Sequence, residues 1–282
     1  MTEAATLAAQ EELTMSEGTD TRGRRTALVT GASSGIGASI ARSLARRQYD
    51  CVLTARRADR LETLAREIEK AHGVRAKVVP SDLGEQGGAN KLIASVAELG
   101  VDVDVLVNNA GFGVYGPFVE QAPERLAQMM ELNMVAVTSL THHYVRQMVG
   151  RKSGRVLQVA SVGAYQPSPL YAVYSATKSY VMSFSEALNH ELYGTGVSVS
   201  TMCPGLTATE FDEVAGHRKP KWMRLITMTA EDVAEVGIRS MMKGRSVVTT
   251  GFINKINALF IKLMPRSWAT TMAHLSMKGV AP

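Results

Sequence analysis

Tyr174 and Lys178 stand four residues apart in Tyr174-Ser-Ala-Thr-Lys178. In a helix that is about one turn, so a phenol and an ammonium point the same way. A phenol beside a cation loses its proton more readily and becomes able to give or take one near neutral pH. Ser161 precedes Tyr174 by thirteen positions and adds a hydroxyl. Upstream, Thr30-Gly-Ala-Ser-Ser-Gly-Ile-Gly37 links an apolar run to a helical pattern. That is the context in which a glycine-rich turn cradles a phosphate. A proton donor together with a dinucleotide site is equipment for reducing a carbonyl or oxidising an alcohol. Each residue alone has a plainer reading: Tyr174 as an amphipathic helix residue, Lys178 as a surface charge, Ser161 as a strand-end hydroxyl, and the turn as tight packing.

The turn itself is G-x-x-x-G-x-G. Gly31, Gly35 and Gly37 let the backbone bend and approach a ligand, with Ser33, Ser34 and Ile36 between them. Selection between the two nicotinamide dinucleotides falls to the end of the second strand, where an acid binds the ribose hydroxyls in NAD-selective folds. Here Leu53-Thr54-Ala55 is followed by Arg56-Arg57. Ala55 supplies no carboxylate, and Arg56, next to Arg57, offers a fork suited to a 2′-phosphate. NADP(H) is therefore favoured over NAD(H), the alternative being that both arginines are solvated at a helix start. Asp82, beside Leu83, either accepts a bond from the adenine amino group or caps the next helix.

Short β-branched runs alternate with longer helical patterns. Strands are predicted at 26–30, 51–55, 76–80, 103–107, 155–161, 197–203 and 246–250, and helices near 36–48, 58–72, 85–99, 122–149, 171–193 and 230–243. Such alternation predicts an α/β, doubly wound parallel sheet of about seven strands in one domain, residues 25–250. The interval 206–229 is long for a connection and reads as a substrate loop. Beyond Thr250, Phe252, Ile253, Ile256, Leu259, Phe260, Leu263 and Met264 recur at three and four, predicting an amphipathic helical tail over 251–282. It packs on the domain or a partner subunit, or, with Lys255 and Lys262 off the stripe, lies on a membrane surface.

The 282 residues are 45% apolar and 20% charged, ordinary for a full globular core. The 15 methionines read first as core filler and second as a flexible pocket. The net charge of +5 is thinly spread, with no dense basic run interleaved with aromatics, so nucleic acid is not an expected partner. Cys51 and Cys203 lack metal or redox spacing and sit in apolar runs, consistent with a reducing, cytoplasmic setting. The first twenty residues hold five acids and no lysine or arginine, the wrong charge for a signal peptide. Residues 1–24 read as a disordered lead. The histidines show no metal spacing, and no metal is assigned.

Asn108-Asn-Ala-Gly111 closes the fourth strand, and Pro204-Gly205-Leu-Thr-Ala-Thr209 follows the sixth. With the glycine turn, Ser161, Tyr174 and Lys178 in that order, the chain resembles the compact, single-domain short-chain dehydrogenase/reductases over about residues 25–250. The resemblance implies that Tyr174 protonates a carbonyl oxygen as hydride arrives from the nicotinamide, the reverse holding for an alcohol. It implies that Lys178 also holds the nicotinamide ribose, that Ser161 orients the substrate oxygen, and that Asn133 in Leu132-Asn-Met134 anchors a water behind the lysine. Asn109, Ala110 and Gly111 would lie along the cofactor, and Pro204, Gly205, Thr207 and Thr209 would hold its carboxamide. It further implies a homo-oligomer, a dimer or tetramer, associating through helices 122–149 and 171–193. Phe112, Tyr115, Gln166, Tyr171 and Trp222 are expected pocket walls, favouring an apolar small-molecule carbonyl or alcohol. Two other classes stay open: a cofactor-binding regulatory protein without turnover, and a peripheral membrane protein.

Overall fold

The computed structural model describes residues 23–216 and 227–277. Strands β1 (Thr26–Thr30), β2 (Asp50–Thr54), β3 (Ala76–Val78), β4 (Val103–Asn108), β5 (Gly154–Val159), β6 (Val197–Cys203) and β7 (Val247–Thr249) form one parallel sheet. Its order is β3-β2-β1-β4-β5-β6-β7. The interleaved helices are α1 (Gly35–Arg46), α2 (Ala58–His72), α3 (Gly88–Glu98), α4 (Pro123–Met130), α5 (Val137–Gly150), α6 (Ala172–Glu191), α7 (Phe211–Ala215) and α8 (Ala230–Met242). After β7 come α9 (Phe252–Leu263) and α10 (Arg266–Met277).

Because successive side chains leave a strand on opposite faces, the sheet builds two cores. Ala27 and Val29 join Ile40, Leu44, Leu61, Val233 and Met241 on the face covered by α1, α2 and α8. Leu28 points the other way, to Leu92, Leu140, Tyr144 and Met148 of α3 and α5. Buried Met129, Met148, Met202 and Met241 fit the filler reading of methionine. Both cysteines are buried and free.

The sheet is the one predicted, and three local departures have physical reasons. The helix expected over 122–149 is interrupted by a π-turn at Glu131–Ala136 that carries Asn133. A π-turn inserts a residue into the helical ladder and re-aims the side chains around it. The helix expected from 85 begins only at Gly88, because the Asp82 carboxylate accepts the Gly84 N–H at 2.8 Å and holds a turn first. The tail is two helices rather than one, since Pro265 has no N–H to continue α9. Residues 1–22 of the predicted lead and residues 217–226 of the loop, including Trp222, lie outside the described residues.

Candidate active site

The strand order reverses between β1 and β4, so the connections leaving their carboxyl ends diverge and open a crevice. The glycine turn leaves β1 there, and Asn108-Asn-Ala-Gly111 leaves β4 beside it. Gly31 and Gly35 have φ of +66° and +54°, a region that side chains other than glycine's avoid. A Cβ on Gly31 would come within 2.8 Å of Asn109 Nδ2, and one on Gly35 within 2.9 Å of Thr209. Asn109 braces the turn by donating to the Thr30 carbonyl at 2.9 Å and the Gly31 carbonyl at 3.3 Å. Gly37 plays a different part: it does not border the crevice, and a Cβ there would strike the Gly31 carbonyl.

Ser34 is the N-cap of α1, yet its side chain makes no capping bond. Its hydroxyl instead accepts from Arg57 at 2.9 Å. The first-turn amides of α1 are therefore left for an anion, at the end of the helix where the dipole favours one. A cavity of about 500 Å³ runs along this edge, bordered by Gly31, Ser33, Ser34, Gly35 and Ile36. It continues past Arg56, Arg57, Asp82 and Leu83 to Asn109, Ala110 and Gly111. It is also bordered by Ser161, Tyr174, Lys178, Pro204, Gly205, Thr207 and Thr209. The volume falls in the range of small-molecule and cofactor sites. Glycine backbone, uncapped amides and a basic rim in one trough fit a dinucleotide.

Tyr174 and Lys178 lie one turn apart on α6 and face this cavity together, with Lys178 Nζ 5.9 Å from the centre of the Tyr174 ring. Lys178 is buried and donates to the Val159 carbonyl at 2.9 Å, which ties α6 to the end of β5. Loss of hydration pushes its pKa down to about 8. Ser161 caps a short 3-10 turn by accepting the Gly163 N–H at 3.1 Å. The Tyr174 ring tilts against Tyr171 at 5.5 Å and Phe211 at 5.3 Å between centres.

Asn133 sits behind this group, fully buried, and does not border the cavity. Its amide donates to the Phe112 carbonyl at 3.0 Å and Thr177 Oγ1 at 3.1 Å, and accepts the Phe112 N–H at 3.3 Å. A Cβ on Gly111 would meet Asn133 Oδ1 at 3.0 Å and Lys178 Nζ at 3.2 Å, so both atoms look onto the same point. Of the expected walls, Phe112, Gln166 and Tyr171 border the cavity, while Tyr115 packs behind Tyr171 with ring centres 5.3 Å apart.

The two arginines after β2 behave differently. Arg56 is mostly exposed and reaches Asp82 only at 3.8 Å. Arg57 extends over the glycine turn, bonding Ser33 at 3.1 Å and Ser34 at 2.9 Å, and pairs with Glu210 at 2.8 Å. Glu210 also takes Arg60, and with Arg60 and then Arg57 donating to it, its pKa falls to about 2. Glu210 is a site residue that sequence reasoning missed. Its one local signal is its place directly after Thr209, since the arginines are some 150 residues away.

Among the described residues, no group of three or more His, Cys, Asp or Glu is placed to hold a metal ion, and no helix is long and apolar enough to cross a membrane.

The family model for short chain dehydrogenases matches residues 25–220. A short chain dehydrogenase of Pseudocercospora fijiensis is 41% identical over 190 residues, covering 66% of this chain and 60% of that protein. The chain thus spans less than two thirds of that relative's length. The very-long-chain 3-oxoacyl-CoA reductase of Anas platyrhynchos is 31% identical over 224 residues, covering 77% and 70% of the two chains. Among solved structures, a short-chain dehydrogenase from Sphingobium yanoikuyae in complex with NADPH superposes with a TM-score of 0.76 at 30% identity, covering 84% of this chain and 92% of the other.

Proposed function

This chain belongs to the short-chain dehydrogenase/reductase family of oxidoreductases, and from that premise we propose that it interconverts a carbonyl and a secondary alcohol using NADP(H). The observation that carries the reading is that Tyr174, Lys178 and Ser161 open onto the same trough as the uncapped glycine turn.

When bound, the nicotinamide supplies or accepts the hydride; the residues of the chain handle binding and the proton. Ser161 already accepts a bond from Gly163, so its own O–H is the donor it offers to a substrate oxygen. Tyr174 gives its proton to that oxygen in reduction and takes it back in oxidation. A free phenol titrates near pH 10, too high for a base at neutral pH, and the buried Lys178 cation favours the phenolate. Lys178 spends one donor on Val159, leaving two for ribose hydroxyls. Asn133 positions this group by tying Phe112 to Thr177, on the helix of Tyr174 and Lys178.

Support for NADP(H) over NAD(H) comes from Ala55, which offers no carboxylate, and from Arg56 and Arg57, both on the trough wall. The NADPH in the Sphingobium yanoikuyae structure agrees with it. Phe112, Leu132, Tyr171, Phe211 and Val214 favour an apolar small-molecule substrate. A homo-oligomer built on α4 to α6 remains part of the proposal.

The test is a panel of apolar ketones and alcohols followed by NADPH absorbance, with Tyr174→Phe as the control. The variant should bind NADPH as the parent does while losing turnover by at least about 100-fold. Equal turnover in parent and variant would remove Tyr174 from the mechanism. A variant that no longer binds NADPH would make its role structural.

A further inference from the structure

The tail carries a surface that the oxidoreductase reading does not use. On α9, Ala258 is buried, while Phe252, Ile253, Ile256, Leu259, Phe260 and Leu263 are 41–78% exposed. At 100° per residue these six span roughly a third of the helix circumference, opposite Ala258. On α10, Ala269 and Ala273 are buried, while Trp268, Met272 and Leu275 are 56–66% exposed on the adjoining face. Both helices thus turn small residues inward and large apolar residues outward, the reverse of a helix that completes a soluble surface. The six side chains of α9 alone expose on the order of 700 Å², more than the roughly 300–600 Å² of the largest patch on an ordinary monomer.

Charge decides what covers this face. Residues 251–277 contain Lys255, Lys262 and Arg266 and no Asp or Glu. All three cations are exposed, and the two lysines lie together along one edge of the stripe on α9. A second copy of this segment brings no acid to answer these cations. An anionic lipid surface answers both properties, taking the apolar arc among its acyl chains and the lysines at its headgroups. Each helix has 12 residues, about 18 Å, too short for a hydrocarbon layer of about 30 Å, so each would lie in the plane.

We propose that α9 and α10 form an interfacial anchor that docks the protein on anionic bilayers. Asn257, also on α9, borders the active cavity, so docking sets the cavity rim close to the lipid.

The experiment is co-sedimentation of the full chain with phosphatidylcholine vesicles, with and without phosphatidylglycerol, at low and high salt. The parent should bind the anionic vesicles, and high salt should weaken that binding. Leu259→Ser with Phe260→Ser should lower the partition coefficient at least about tenfold. Lys255→Gln with Lys262→Gln should lower it on anionic vesicles only. Absence of parent binding to either vesicle at low salt overturns the proposal. So does a Leu259→Ser, Phe260→Ser variant that sediments at equilibrium as a smaller oligomer than the parent, which would give the face to a second copy. Trp222→Phe leaves Trp268 as the sole tryptophan and keeps the face intact should the serine variant misfold. The Trp268 emission must then move to shorter wavelength on adding anionic vesicles, and an unchanged spectrum is equally fatal. Vesicle binding is read without turnover, so it stands or falls separately from the proposed activity.

Discussion

Replacing Lys178 by methionine should abolish turnover and, at neutral pH, make the protein more stable. Burial lowers the Lys178 pKa from 10.5 to about 8, which corresponds to about 3 kcal/mol of destabilisation whenever both folded and unfolded chains carry the charge. That condition holds below pH 8. Between about pH 8 and 10.5 the unfolded chain keeps the proton while the folded chain sheds it, so stability rises with pH and the cost fades. Methionine has similar length and removes the charge, but it forfeits the bond to the Val159 carbonyl, about 1 kcal/mol. The net gain at pH 7 is about 2 kcal/mol, or about 4–8 °C in Tm for a domain of this size. It should shrink to near zero by about pH 10. Urea unfolding of parent and Lys178→Met without cofactor, at pH 7 and at intervals to pH 10, measures this difference directly, because other titrating groups cancel. A variant no more stable than the parent at pH 7, with a difference that does not vary with pH, would refute the claim that a costly buried cation is held at this site.

Two further outcomes bear on the site. Arg56→Asp combined with Arg57→Ala should raise the dissociation constant for NADPH by about 30-fold or more, as expected for lost charge-assisted bonds, while leaving NADH within about threefold; calorimetric titration of both nucleotides reads this, and equal losses would dismiss the phosphate role. Ser161→Ala should lower kcat by on the order of 100-fold with NADPH affinity unchanged, and steady-state kinetics showing an unaltered kcat would take the hydroxyl off the substrate oxygen.

What the sequence made legible follows the range over which its physics acts. Tyr174 and Lys178 were readable as a pair because one helical turn fixes their common direction. The sheet was readable because β-branched runs alternating with helical patterns admit few topologies, and its order then dictated where the crevice opens. The place of Arg56 and Arg57 after β2 points both toward a phosphate, but not to the contacts of Arg57 with Ser33, Ser34 and Glu210. Adjacent residues on an extended stretch point apart, and which one meets a partner 153 residues away is decided by packing. The π-turn that carries Asn133 leaves no mark in hydrophobic periodicity. Pro265 did carry a signal, and the apolar recurrence running up to it masked the break.

The same distinction explains the tail. Periodicity reports that a helix has an apolar face; it does not report whether the protein covers that face. Only the structure turns Phe252, Leu259 and Leu263 outward and Ala258 inward. Lys178 is the opposite case, a residue whose charge suggests the surface and which the fold buries. Both depart from the rule that apolar groups go in and charges stay out, and each departure costs stability that the rest of the core must supply. Such costs mark the positions where function, rather than folding, accounts for the residue, and here both border one cavity, Lys178 directly and α9 through Asn257.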